Sequence, residues 1–208
     1  GVWGDWALFH SVNVRGTENV IRACQAAGVH KLVFTSSPSV TFDGRDQCGV
    51  DETAPYPTRW LCHYPHTKAL AEQAVLAANR RGGLLTCALR PHLIWGPRDP
   101  HLVPRLIDRA RRGRLRQVGD GRNLVDMVYV ENAAQAHLLA AAALADESPA
   151  AGSAYFISQG EPVRCWDWIN AILALVGLPP VRRRISAAAA GRVGIVCESL
   201  YRVLRIQR

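Results

Sequence analysis

A tyrosine and a lysine four positions apart, in Tyr64-Pro-His-Thr-Lys68, are the residues of this chain whose types and spacing best suit chemistry. Residues i and i+4 share one side of a helix, so a phenol and an ammonium spaced this way can face the same point. A phenol with a pKa of about 10 exchanges protons poorly near neutrality, and a neighbouring ammonium favours its phenolate. The pair could therefore run general acid/base chemistry, although the same spacing also arises by chance on ordinary helices. Lys68 stands out for a second reason: Lys31 and Lys68 are the only lysines among 25 basic side chains, the rest being arginine, whose planar guanidinium does different chemistry. Thr35-Ser36-Ser37 adds hydroxyls at the end of a short apolar run, where open parallel sheets bind ligands. A hydroxyl there can hold a substrate oxygen, or simply cap a turn. Asn13, in Asn13-Val-Arg-Gly-Thr-Glu-Asn-Val20, is an amide expected inside a helix, where by itself it reads as facing solvent.

The elements that must position these groups follow from periodicity. Apolar spacing predicts a helix over 11–27 that stops at Gly28, and the run at 31–36 reads as a buried strand. Residues 37–60, with Gly44, Gly49, Pro55 and Pro57, have no period and form a long loop. A helix over 66–81 ends at Gly82-Gly83, followed by a strand over 84–90 that Pro91 closes. Beyond Gly96-Pro97 come a helix at 102–112, a strand at 115–118, a turn at 119–122 and a strand-like run at 124–130. A helix at 132–144, a strand at 153–158 and a helix at 165–175 succeed them. A linker around Pro179-Pro180 and Arg182–Arg184 leads to a helical end over 187–204. This alternation is that of a parallel sheet covered by helices.

Composition narrows the function classes. The 208 residues are 49% hydrophobic and 20% charged, which suits a chain with a real core. The net charge of +8 raises nucleic acid as a partner, but the arginine clusters at 109–116 and 182–184 lack interleaved aromatics or a nucleic-acid motif, so none is expected. Six cysteines show no C-x-x-C and sit mostly in apolar segments, as buried free thiols of a reducing cytosol do. No run is long enough to span a bilayer. His92 and His101 show no ligand spacing, so no metal site is expected. His63 and His66, beside the tyrosine, are expected to pack rather than react, and Trp60, Trp95, Trp166 and Trp168 suit either a core or an apolar cleft.

Several of these pieces together carry a resemblance. Asn13-Val14 with Gly16-Thr17 and Asn19-Val20, then Thr35-Ser36-Ser37, Tyr64-x-x-x-Lys68, Leu89-Arg90-Pro91 and Trp95-Gly96-Pro97 occur in the order of the extended short-chain dehydrogenase/reductase family. Tyr129-Val130-Glu-Asn132-Ala-Ala-x-Ala-His137 and Arg90-Pro91-His92 are most similar to its 3β-hydroxysteroid dehydrogenase/isomerase branch. The resemblance implies an α/β fold, a Rossmann-type doubly wound parallel sheet with a smaller C-terminal substrate-binding lobe. It implies NAD or NADP as cofactor and a small apolar hydroxy or keto substrate, a sterol or β-hydroxy acid. It makes Tyr64 the general acid/base, Lys68 its partner and a ribose ligand, Ser37 the holder of the substrate oxygen and Asn13 the last member of a proton relay. Ser36, Pro91 and Leu93 would join Tyr64 and Lys68 around the cofactor; His92, Trp95 and Arg122 would join Ser37 around the substrate. It also leaves a homodimer through the helices flanking the tyrosine open. Localisation is expected to be cytoplasmic, with peripheral membrane association as the alternative.

The chain departs from the family in having no G-x-x-G-x-x-G turn, the element that cradles a dinucleotide diphosphate. Gly1 then corresponds to a point after the fourth strand, and the sheet is expected to be incomplete, about sixty to seventy residues of N-terminal βαβ units lying outside a fragment. On this reading residues 1–98 are the C-terminal half of the dinucleotide domain. Residues 99–208 are mainly the substrate lobe, with returning sheet elements near 124–158. Two other classes stay open: a nucleotide-sugar epimerase or dehydratase, and a degenerate non-enzymatic relative. Pro38-Ser39 stands where family dehydratases carry Asp-Glu, and Arg90-Pro91-His92-Leu93 where epimerases carry Arg-Tyr-Phe-Asn, which favours oxidoreduction.

Overall fold

In the computed structural model, which describes residues 4–204, the first helical segment starts at Trp6, ahead of the expected boundary. α1 (Trp6–Phe9) and α2 (Gly16–Ala26) are joined by a π-helical stretch, His10–Arg15, in which Gly16 N donates to Ser11 O, one residue further back than in an α-helix. Gly28 ends the segment with φ 66°, the left-handed geometry glycine adopts freely. β1 (Lys31–Thr35) leads into a single 3-10 turn, Pro38–Thr41, a structured start to a segment expected to have none. α3 (His63–Ala77) begins early enough to put Tyr64 in its first turn. β2 (Leu85–Pro91) is buried along its whole length and keeps Pro91, contrary to the expected stop. Leu85 N faces β1, donating to His30 O. Residue 91 faces the same way but lies past the end of β1, so its missing N–H costs no ladder bond.

The remaining elements are β3 (Leu93–Trp95), α4 (Leu102–Arg111), β4 (Gln117–Val118), β5 (Leu124–Val125), β6 (Met127–Tyr129), α5 (Val130–Ala143), β7 (Ala154–Ile157), β8 (Val163–Arg164), α6 (Cys165–Leu175), β9 (Arg184–Ile185) and α7 (Ala187–Leu204). The expected strand over 124–130 is thus two short strands parted at Asp126, and the expected linker contains β9, which pairs with β4.

These elements form two units, one comprising the chain up to His92 with Glu131–Ser158, the other Leu93–Val130 with the chain from Gln159. In the first, β1, β2 and β7 make a parallel sheet in the order β1-β2-β7. Strand alternation divides its side chains between two faces. Leu32 and Phe34 pack with Ile21 and Cys24 of α2 and Ala74 and Val75 of α3, along with Ala78 and Leu84. Val33, Leu85 and Cys87 pack on the opposite face with Ala140 of α5 and with Leu144, Ala150 and Ala151. Helices on both faces of a parallel sheet are the doubly wound arrangement anticipated from the sequence. The second unit carries three small pairs: β3 with β6, β4 with β9, and β5 with β8.

All six cysteines are free thiols, but the burial expected of them holds only for Cys87; Cys24, Cys62 and Cys165 are half-buried, and Cys48 and Cys197 exposed. Among the described residues no helix is long and apolar enough to cross a membrane, and no cluster of His, Cys, Asp and Glu could hold a metal ion.

Candidate active site

Tyr64 and Lys68 occupy the first two turns of α3, where the chain arrives at the C-terminal end of β1. The Lys68 ammonium lies 4.2 Å above the Phe34 ring and donates at 2.7 Å to the carbonyl of Thr35, the last residue of β1. Burial lowers its pKa to about 8, against the opposing pull of the Glu72 carboxylate one turn further on. Tyr64 is half-buried, its ring edge-on to Phe9 at 6.2 Å. The two residues following Thr35 supply hydroxyls. Ser36 is buried, its N–H bonded to Leu89 O at 2.6 Å. Ser37 caps the 3-10 turn: its Oγ accepts from Ser39 N at 3.3 Å and lies 2.8 Å from Ser39 Oγ. The capping role and a position at the strand end therefore coincide in one residue.

Asn13 sits within the π-helical stretch and donates from Nδ2 to Thr67 Oγ1 at 2.9 Å, so it is tied to α3 immediately before Lys68 instead of facing solvent. Thr67 in turn bonds His63 O and Tyr64 O. His63 and His66 pack as expected. Trp6 meets both, and Trp60 stacks on His66 at 4.9 Å with ring planes 5° apart. Burial, and secondarily His63, holds the His66 pKa below the ordinary histidine value.

Behind Lys68 lies a network that sequence reasoning missed. Glu72, 0% exposed, accepts from Arg90 Nη2 at 2.6 Å, from Arg90 Nε at 3.1 and 3.2 Å, and from Tyr56 Oη at 2.6 Å. The guanidinium also lies 5.1 Å from the Phe156 ring and 5.8 Å from that of Tyr56. Burial opposes the Glu72 charge, but the bonds from Arg90 and Tyr56 outweigh it and hold the carboxyl below its ordinary range. Burial and the adjoining carboxylate push the Tyr56 phenol up. The network pins α3, β2 and the long loop together. A second tie, Phe156 N to Glu52 Oε1 at 2.8 Å, fixes the same loop to the β7 edge. The available signal was register, since Tyr64, Lys68 and Glu72 are successive i+4 positions.

Pro91 and His92 close this unit's central strand; His92 N bonds Ile157 O at 2.9 Å and its ring lies 5.8 Å from Phe156. Leu93, Trp95 and Arg122 belong to the second unit. Leu93 pairs with Met127 in the β3 and β6 ladder, Trp95 packs edge-on against Tyr129 and Trp168, and Arg122 is exposed in a turn beside Asp120. Lys68 is anchored at the end of β1, which Ser36 and Ser37 follow, and Tyr64 stands one helical turn before it. A dinucleotide's diphosphate would need the amide cradle of a G-x-x-G-x-x-G turn, which these 208 residues do not contain.

A doubly wound parallel sheet with Tyr-x-x-x-Lys meeting the end of its strand defines a Rossmann-type protein of the extended short-chain dehydrogenase/reductase class. Within that class the chain belongs to the 3-beta hydroxysteroid dehydrogenase/isomerase family, which residues 7–185 match. The 2-alkyl-3-oxoalkanoate reductase of Shewanella oneidensis is 50% identical over 214 residues, which cover 100% of this chain and 55% of the relative. The human sterol-4-alpha-carboxylate 3-dehydrogenase, decarboxylating, is 48% identical over 168 residues, 80% of this chain and 45% of its own length. Among solved structures, MoeE5 in complex with UDP-glucose and NAD superposes with a TM-score of 0.66 at 32% identity, covering 85% of this chain and 58% of that one. The chain thus spans about half the length of the curated relatives it matches.

Proposed function

We propose that the chain carries the catalytic portion of an NAD(P)-dependent oxidoreductase that interconverts a hydroxyl and a ketone on an apolar substrate. The observation that carries this reading is the Lys68 ammonium anchored at 2.7 Å on Thr35 O, at the end of a parallel strand and one helical turn from Tyr64. A bound dinucleotide would supply the hydride acceptor for oxidation and the hydride donor for reduction. Tyr64 removes the hydroxyl proton as the carbinol carbon is oxidised, and supplies it to the ketone oxygen in reverse. Lys68 stabilises the phenolate and hydrogen-bonds the ribose, with Ser36 beside it. Ser37 holds the substrate oxygen, and Asn13 steadies the first turns of α3 and ends the proton path.

The relatives' names support a substrate class. A 2-alkyl-3-oxoalkanoate and a sterol-4α-carboxylate with a 3-hydroxyl both place the redox carbon β to a carboxylate, next to a substituted carbon. A β-hydroxy or β-keto acid with a bulky apolar body is the common chemistry. Pro91 and Leu93 are assigned to the cofactor and His92, Trp95 and Arg122 to the substrate. The test is NAD and NADP binding and hydride transfer by the chain, alone and with an upstream glycine-rich βαβ segment restored. Transfer by the restored protein, reduced by about 10²-fold or more in Tyr64→Phe, is expected for loss of a general acid/base. Failure of both forms to bind a dinucleotide would sink the reading.

A further inference from the structure

We infer that His137, on α5, is a positioning residue for Lys68 that acts from the opposite face of the sheet through Thr35. The inference rests on Lys68 being the group that works with Tyr64. Lys68 approaches β1 from the α3 side, over the face of Phe34. Its acceptor is the main-chain oxygen of Thr35. That carbonyl lies outside the ladder with β2: the groups of β1 that turn toward β2 belong to even-numbered residues, His30 O accepting from Leu85 N and Ser36 N donating to Leu89 O. In a parallel strand, residue 35 turns its main-chain groups away from β2.

The Thr35 side chain supplies the hold. With Lys31 and Val33 it lies on the α5 face, where its Oγ1 is 2.7 Å from His137 Nε2. His137 Nδ1 is 2.7 Å from Ala133 O, one turn back along α5. A carbonyl only accepts, so Nδ1 carries the proton that faces it. In the neutral ring Nε2 is then the acceptor for the threonine hydroxyl. A helix carbonyl orients the imidazole, the imidazole fixes Thr35, and Thr35 presents its carbonyl to the ammonium. Glu72 on α3 is the charged neighbour that acts on Lys68. Lys31 provides an internal control, since its Nζ donates at 2.9 Å to Ala141 O on the same helix and so reports whether α5 stays docked.

With two lysines in the chain, [13Cε]lysine labelling yields one resonance for each, and both can be titrated by NMR in the intact chain. His137→Leu and Thr35→Val are each expected to release the ammonium to water and raise the Lys68 midpoint from about 8 toward the ordinary lysine value. Lys31 stays unmoved, the double variant shifts Lys68 no further than either single one, and His137→Gln, which keeps an acceptor near Nε2, leaves Lys68 close to its native midpoint. A Lys68 midpoint that stays or falls in the single variants, shifts that add in the double variant, or movement of Lys31 together with Lys68 would overturn the inference. Dinucleotide binding by the restored protein judges the oxidoreductase reading separately; its failure would leave the lysine titration to decide the His137 link.

Discussion

Replacing Glu72 by glutamine removes the carboxylate bonded to a guanidinium whose residue is 3% exposed. The new amide could still accept from Tyr56 and make one bond to Arg90, but the arginine would keep a buried charge with no anion beside it. Breaking a buried pair in this one-sided way costs about 3–5 kcal/mol. For a chain of this size that corresponds to a fall in Tm on the order of 10 °C. The pair's desolvation cost disappears when both partners go, so Glu72→Met with Arg90→Met should recover most of the loss. Tyr56→Phe, which deletes one bond to the carboxylate, should cost about 1.5–3 kcal/mol. Urea unfolding followed by circular dichroism and by tryptophan fluorescence measures all three, and coincident transitions would license a single free energy. The sign with pH follows from the lowered Glu72 pKa: the pair stabilises the fold above the ordinary glutamate value, and that contribution is lost as pH falls through the folded value. Wild-type stability should therefore drop more steeply in acid than that of the double methionine variant. A Glu72→Gln cost below about 1 kcal/mol, or a double methionine variant no more stable than Glu72→Gln, would refute a buried pair that organises the site.

Lys68, depressed to about 8, gives two readouts of opposite sense. The folded chain releases this proton before the unfolded chain does, so stability should rise with pH from about 8 upward, while hydride transfer should fall over the same range as the ammonium is lost. Lys68→Arg, which keeps its charge, should remove that basic limb from the pH-rate profile. Gly96 has φ 149°, and a Cβ there would lie 2.6 Å from Val130 Cγ1 and 3.1 Å from the Tyr129 ring. Gly96→Ala should consequently destabilise the protein by about 1–3 kcal/mol, read as a lower urea midpoint.

Much of the site was legible because its signals are local. Tyr64 and Lys68 lie one helical turn apart because four residues make one turn, and the hydroxyls of 35–37 follow a strand recognisable from its apolar run. The misses share a physical origin. Glu72 drew no notice in the sequence because the partner that gives it a role, Arg90, is 18 positions away. Asn13 reads as facing solvent because a π-helical turn leaves no mark on apolar periodicity, yet that stretch carries the residue that reaches Thr67, 54 positions on. β9 escapes sequence reasoning because two residues in an arginine-rich linker become a strand only through pairing with β4.

The alternation of helices and strands, the doubly wound class and the placement of Tyr64 and Lys68 one turn apart were legible from residue order alone, since each depends on spacing within one turn or one strand. Only the tertiary structure decided which face of β1 meets α3 and which meets α5, what holds the Lys68 ammonium, and which buried carboxylate stands behind it. Those outcomes come from contacts between segments tens of residues apart, and only packing brings their partners within hydrogen-bonding distance.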